Sequence, residues 1–293
     1  MINRRRFLQT GLLAGGAVAT GSLRFFPVQA AAKARQASDP IILGPDKIKL
    51  ARMAIGTGTE GGSVQRKLGV QGLADLLHFG YDNGLIFWDT ADGYKTHPHV
   101  REALTRVPRE KITLQTKTRA RTAEQMKADL DRFRQELNTD YFDIVLLHAC
   151  STPDWPETRK GAMEVLAEAR QKGVVRTHGV SCHSIEALRT AARTPWLRVV
   201  LARINPAGML MDADPKTVIE VLREMKAASK GVIGMKILGE GGLRDRVDEA
   251  LGFALSLDCV DCFTIGPANR QELQDLIKRI PAASQAAAPA KAA

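Results

Sequence analysis

Four ionisable residues stand where apolar runs of the sequence end. Asp89 and Tyr94 close "LIFWDTADGY", Lys117 closes "KITLQTK" and His148 comes near the end of "YFDIVLLHA". Gathered at one place, an acid, a phenol, an ammonium and an imidazole form a proton-delivery device. A phenol titrates at roughly 10 and gives up its proton poorly at neutral pH. A neighbouring ammonium favours the phenolate and lowers that value, while a carboxylate keeps the ammonium charged and in place. An imidazole within reach orients a bound oxygen or shares the proton. Such a set suits the alkoxide that develops when a carbonyl is attacked by hydride. The alternative for the same residues is a buried Asp–Lys pair beside a hydrogen-bonded core histidine, a costly arrangement to keep for stability alone.

To act together, these residues must be carried to one point by the elements before them. Eight short apolar or β-branched runs, "IKLARMAIG", "LIFWDTA", "KITLQTK", "YFDIVLLHA", "VVRTHGVS", "LRVVLARIN", "GVIGMKILG" and "CFTIGP", alternate with segments of helical period such as "TAEQMKADLDRFRQELN". Asn83-Gly84 and Lys172-Gly173 read as helix stops, each glycine ending a helix before the next strand. The alternation predicts an α/β fold, a single-domain (β/α)8 TIM barrel over residues 47–281. The rival doubly wound sheet calls for G-x-G-x-x-G after its first strand, and "AIGTGTEGG" does not meet that pattern. In a barrel the carboxyl ends of the strands converge on one mouth. Asp89, Lys117 and His148 fall there on three consecutive strands, with Tyr94 in the loop after the first. Residues 33–46, polar and broken by Pro and Gly, read as a linker, and 282–293 as a disordered, low-complexity tail.

The net charge of +10 suggests a nucleic-acid partner until it is located. Arg4, Arg5, Arg6, Arg24, Lys33 and Arg35 occur in a stretch without an acid, so the first 35 residues hold most of the excess. With three Tyr and three Trp there is no basic–aromatic pattern for nucleic acid. The N-terminal "NRRRFLQTGLLAGGAVATGSL" has the layout of a secretory signal, and its Arg4-Arg5 start resembles the twin-arginine (Tat) signal. The expectation is a signal peptide over residues 1–32, recognition by the twin-arginine export machinery and a periplasmic protein with no stable membrane insertion after cleavage. An uncleaved anchor is the other reading of that segment. The cysteines of "CVDC" (Cys259, Cys262) lie at a strand start, where residues three apart point to opposite faces. Neither Cys150 nor Cys182 extends the pair into a metal spacing, so buried thiols are expected and no metal site.

The motifs together resemble the aldo-keto reductase family. "DTADGY" matches its D-T-A-x-x-Y, "LQTK" the strand that ends in its lysine, "LNTDYFDIVLLH" its L-x-x-D-Y-x-D-L-x-L-x-H, and "VVRTHGVSCHS" its R-x-x-G-V-S-N segment. The match runs from about residue 50 to residue 278. The resemblance implies a monomeric or weakly associated barrel that binds NADP(H), or NAD(H), and reduces a small-molecule carbonyl substrate. It implies Tyr94 as proton donor, Lys117 and Asp89 as its tuning pair, and His148 as the group that orients the carbonyl. For the cofactor it implies Gly56 and Thr57 after the first strand, and Ser181 with Cys182 in place of the usual asparagine. Asn205 follows, with Leu201 where a glutamine is usual. Met235 takes the place of the stacking aromatic and is followed by Lys236 and Leu238. Gly266, Asn269 and Arg270 form the closing loop, and Glu272 falls where an arginine for the 2′-phosphate is usual. A cofactor-binding barrel with regulatory or vestigial activity is the alternative, and a Schiff-base lyase on Lys236 a third reading. Among the remaining residues, His97 and His99 could rim the substrate pocket and Trp155, Met209 or Met211 could line it. His178 reads as a core histidine, and His183 could face the pocket.

Overall fold

The computed structural model describes residues 34–286. The expected signal peptide, residue 33 and the tail beyond 286 lie outside the described residues. Where a linker was expected, the chain enters as a hairpin. β1 (Pro40–Leu43) pairs antiparallel with β2 (Ile48–Ala51). The composition is loop-like because β1 is half exposed, yet Leu43, Ile48 and Leu50 are buried. The run "IKLARMAIG" is therefore two strands, with Arg52 between β2 and the first barrel strand, β3 (Met53–Gly56).

Beyond β3 the chain alternates. A single turn, α1 (Ser63–Arg66), and α2 (Gly69–Asp82) lead to β4 (Phe87–Asp89) and α3 (His97–Leu104). Then come β5 (Thr113–Thr118), α4 (Ala123–Leu137), β6 (Phe142–Cys150), the short α5 (Trp155–Thr158) and α6 (Lys160–Gln171). The second half runs β7 (Val175–Cys182), α7 (Ile185–Arg193), β8 (Val199–Arg203), α8 (Pro215–Ala227), β9 (Gly231–Met235), α9 (Val247–Ser256), β10 (Cys262–Ile265) and α10 (Arg270–Ala286). Strands β3 to β10 form a closed barrel in chain order, β10 returning to pair with β3, and every barrel pairing is parallel. Helix α10 reaches Ala286, so the first residues assigned to the tail are helical. Gly84 and Gly173, at φ of 80° and 74°, end α2 and α6 in the left-handed conformation that glycine adopts without penalty.

The period of two along each strand divides the core. Inward residues, among them Phe87, Ile144, Leu146, Val199 and Ile233, meet Leu43, Ile48 and Leu50 of the hairpin inside the barrel. Outward residues such as Trp88, Val145, Leu147, Val180 and Val200 pack beneath the helices. The hairpin thus plugs the amino end of the barrel, each fully buried Leu or Ile contributing about 1.5–3 kcal/mol. Asp46 at its turn accepts from Arg170 (3.0 Å), Thr177 (2.7 Å) and Arg198, which ties the plug to the barrel base. With one end closed by apolar packing, polar side chains inside the barrel collect at the other.

Candidate active site

At the carboxyl end of β4, Asp89 points inward because Phe87, two residues earlier, does. Its Oδ1 accepts from Lys117 Nζ and from Gln115 Nε2 (2.7 Å), and its Oδ2 from Thr264 Oγ1 (3.1 Å). Lys117 is wholly buried; its ammonium also donates to the Thr90 carbonyl (2.9 Å) and to Tyr94 Oη (3.4 Å). Burial pulls the lysine pKa down, but the charges of Asp89 and Tyr94 outweigh it and the net shift is upward, so the ammonium stays protonated.

Tyr94 is brought back over Lys117 by a tight turn, its N–H donating to the Ala91 carbonyl (3.1 Å), with Lys95 left-handed at φ 58°. The Arg66 guanidinium donates to the Tyr94 carbonyl. Gly58 makes room for the ring: a Cβ there would lie 2.4 Å from Tyr94 Cε2 and Cζ. Thr57, just before it, donates to the Asp89 carbonyl (3.1 Å) and bonds Thr96 Oγ1 (2.8 Å), so the loop is pinned. The phenol departs from expectation. Its pKa is raised, because burial outweighs the opposing pull of Lys117. The ammonium is in place, but desolvation of the phenolate is the larger effect.

His148 sits where β6 breaks register between Leu147 and Cys150. Ala149 is left-handed (φ 54°), its N–H donating to Ser181 Oγ (2.8 Å), and Arg159 Nη1 donates to the His148 carbonyl (3.1 Å). This irregularity aims the imidazole at Tyr94, ring centroids 5.5 Å apart and nearly perpendicular. Burial, then the charges of Lys117, His183, Arg119 and Arg159, push its pKa down to about 2. His148 is therefore neutral at any ordinary pH, and its Nδ1 is buried without a partner among the described residues.

A cavity of about 480 Å³ opens beside Tyr94 and Asp89 and extends to the start of α10, ending at Glu272 and Asp275. Of the residues expected at a cofactor, Gly56, Met235, Lys236, Leu238 and Gly266 line this cavity. Thr57, Ser181, Cys182, Asn205, Asn269 and Arg270 are not among its lining residues. Cys182 is outward by strand parity and packs under the helices, while Ser181 braces the β6 irregularity and Thr57 the Asp89 loop. Asn205 is spent on its own loop, donating to the carbonyls of Met209 (2.8 Å) and Lys236 (3.1 Å) and accepting from the N–H of Ala207 and Met209. Asn269 caps α10 by accepting from the Glu272 N–H (2.9 Å), and Arg270 turns away to cover the Phe79 ring at 4.2 Å. Sequence reasoning missed Gly58, Thr264, Glu240 and Arg244, which also line the cavity. Arg244 opens "RDRVDEA", which reads as a solvated helix face; only Thr264, inward by parity with Cys262, left a signal.

Of the remaining histidines, His97 is buried, bonded to Glu136 Oε2 (2.6 Å) and Thr116 Oγ1 (3.0 Å). Neither it nor the buried His99 is among the residues lining the cavity, because α3 turns them both inward. His178 stacks on Trp196 at 4.3 Å, as a core histidine does. Trp155 is buried, with Nε1 donating to the Ala187 carbonyl, and Met209 packs over Gly239 and Gly242. Lys236 is ion-paired with Glu240, so its Nζ is engaged by a carboxylate. All four cysteines are buried free thiols, Cys150 and Cys259 pushed up to about 11 by burial. No cluster of three metal-ligating side chains occurs among the described residues. Nor is any helix among them long and apolar enough to cross a membrane.

A closed parallel barrel with Asp, Lys, Tyr and His side chains gathered at its carboxyl mouth defines a (β/α)8 protein. Residues 52–278 match the aldo/keto reductase family, and the chain belongs to that family. Among curated relatives, "Probable aldo-keto reductase 1" of Glycine max is 26% identical over 166 residues; the match covers 52% of this chain and 47% of that protein, so the chain spans about half its length. A Pseudomonas aeruginosa structure described as an aldo-keto reductase superposes with a TM-score of 0.72 at 21% identity, covering 85% of this chain and 98% of that one. An aldo-keto reductase from Klebsiella pneumoniae, solved with NADPH, gives 0.66 at 19% identity, over 84% of this chain and 89% of that one. At these identities the solved structures speak for the fold.

Proposed function

We propose that this protein reduces aldehyde or ketone carbonyls to alcohols at the expense of NADP(H) or NAD(H). The observation that carries the reading is the Lys117 ammonium, locked by Asp89 and 3.4 Å from the Tyr94 hydroxyl, beside a neutral imidazole. The cavity suits a dinucleotide. Its floor of Leu201, Met235 and Leu238 is apolar, glycine backbone is bare at Gly56 and Gly266, and Lys236 and Arg244 supply positive charge for phosphates. When bound, the dinucleotide supplies hydride to the carbonyl carbon. Tyr94 gives its proton to the carbonyl oxygen, and the phenolate left behind is stabilised by Lys117, which Asp89 keeps charged. His148, neutral, offers a hydrogen bond that orients the oxygen without competing as an acid.

The NADPH named with the Klebsiella protein supports NADP(H) as the first choice of cofactor. One observation favours NAD(H): the Glu272 carboxylate accepts from the Ala268 N–H (2.8 Å) at the start of α10, where it would repel a 2′-phosphate. Titration with NADPH and NADH by fluorescence, followed by an aldehyde panel, tests the reading. Tight cofactor binding with no carbonyl-dependent oxidation, unaltered by Tyr94→Phe, would sink it. That outcome would favour a regulatory barrel, which the misplaced Cys182 and the committed Asn205 motivate. Export by the twin-arginine route to the periplasm belongs to the same proposal and rests on Arg4-Arg5 ahead of an apolar run. Export left intact by Arg4→Lys/Arg5→Lys would refute it. A monomer is proposed from the family resemblance and is tested by sedimentation.

A further inference from the structure

The mouth of the barrel holds more positive charge than the proton-delivery set uses. Five cations bear on the two facing imidazoles, His148 and His183: Lys117, Arg119, Arg159, Arg203 and Lys236. Three are matched by a carboxylate, Lys117 by Asp89, Arg203 by Asp212 (3.2 Å) and Lys236 by Glu240. Arg119 and Arg159 have no carboxylate partner among the described residues. Arg119 directly follows the carboxyl end of β5, which puts it at the rim of the mouth, and it is exposed. Arg159 is only 8% exposed, and among the described residues its guanidinium has one hydrogen bond, to the His148 carbonyl. A guanidinium buried to that degree without a counter-charge is costly to hold.

His183 adds a directed donor to the same wall. Arginine has no acceptor, so the 2.6 Å contact between Arg203 Nη2 and His183 Nδ1 makes Nδ1 the acceptor and leaves the hydrogen on Nε2. The His183 ring lies 6.2 Å from that of His148 and perpendicular to it. Behind it, Asp212 holds Arg203 in place. The side of the mouth away from the dinucleotide cavity therefore combines two uncompensated guanidinium groups with a fixed imidazole N–H.

We propose that the carbonyl compound reduced here carries a carboxylate, held on this side of His148 by Arg119, Arg159 and His183 Nε2–H. The proposal rests on the reductase reading and names the substrate class for that site. Planar guanidinium groups pair with carboxylates bidentately, and such contacts are stronger than neutral hydrogen bonds. The carboxylate also supplies the counter-charge that the Arg159 guanidinium lacks among the described residues.

The test uses the full chain and two aldehydes that differ at one group, the ionised carboxylate of 4-carboxybenzaldehyde and the neutral methyl ester of methyl 4-formylbenzoate. The expected wild-type kcat/KM is at least about tenfold higher for the acid, expressed mainly in KM, since a charge-assisted contact is stronger than a neutral one. Arg119→Met, at an exposed position, brings the ratio toward one, as does Arg159→Met if that protein folds. A wild-type ratio near one, or a ratio that Arg119→Met does not move, overturns the proposal. Calorimetry with terephthalate, which cannot be reduced, separates this from the reductase reading. Binding lost in Arg119→Met supports the carboxylate site even if no aldehyde is turned over. No binding to wild type overturns it even if neutral aldehydes are reduced.

Discussion

Gly58→Ala isolates the placement of Tyr94 from its chemistry. The backbone of Gly58 lies at φ −116° and ψ 11°, which alanine tolerates, so the substitution adds a methyl group and little backbone strain. That methyl carbon would lie 2.4 Å from Tyr94 Cε2 and Cζ and 2.9 Å from Oη. Carbon atoms settle at about 3.5–4.0 Å, so one partner must retreat by about 1 Å. The loop cannot easily do so, because Thr57 is fixed to the Asp89 carbonyl and to Thr96. The ring must move, and its hydroxyl already stands at 3.4 Å from Lys117 Nζ. A misplacement of about 1 Å at a reacting group costs about a hundredfold in rate, or about 2.7 kcal/mol of barrier. The assay is kcat for reduction of an aldehyde, with cofactor affinity by fluorescence and thermal unfolding alongside. The expected result is a kcat about a hundredfold down, with cofactor affinity little changed. In a Tyr94→Phe background Gly58→Ala should add almost nothing, because both act on one proton transfer. A kcat within threefold of wild type, or full additivity with Tyr94→Phe, would refute the placement argument.

Lys117→Met leaves Asp89 buried without its counter-ion and should destabilise the fold by about 3–5 kcal/mol as well as abolish turnover; urea unfolding reads the first effect. Asp89→Asn/Lys117→Met, which removes both charges, should recover part of that loss. Asp46→Asn should cost about 2 kcal/mol at pH 7, measured by the same unfolding. Hydrogen bonds and charge from Arg198, with Thr177 and Arg170, overcome the opposing effect of burial and hold the Asp46 pKa below 3.8 in the folded state. As pH falls below 3.8 the unfolded chain takes up the proton first. The gap between wild type and Asp46→Asn is therefore full above about pH 5, shrinks below 3.8 and vanishes beneath the folded pKa. Because His148 is depressed to about 2, kcat should show no ionisation limb from it between about pH 5 and 8. A limb near 6.5 that disappears in His148→Gln would contradict the neutral-imidazole role.

What the sequence by itself determined is whatever rests on local periodicity. Alternating apolar runs and amphipathic segments placed all eight barrel strands, since the period of two and the period near 3.6 are properties of neighbours along the chain. The ends of those runs put Asp89, Lys117 and His148 at the carboxyl ends of consecutive strands, so their gathering at one mouth was legible before any coordinates. Parity could also have shown that Cys182 faces away from the mouth if Ser181 faces it. Position in the closing loop, by contrast, did not reveal where Arg270 points: its guanidinium found the Phe79 face, a partner nearly two hundred residues earlier in the chain. The β1–β2 hairpin was hidden for a similar reason. Its half-polar composition looks like a linker until the open end of a barrel gives Leu43, Ile48 and Leu50 something to cover. Only the tertiary structure decided the charge balance at the mouth. Whether Arg119 or Arg159 meets a carboxylate, and whether burial or Lys117 governs the Tyr94 proton, depends on distances between strands that the chain alone does not contain.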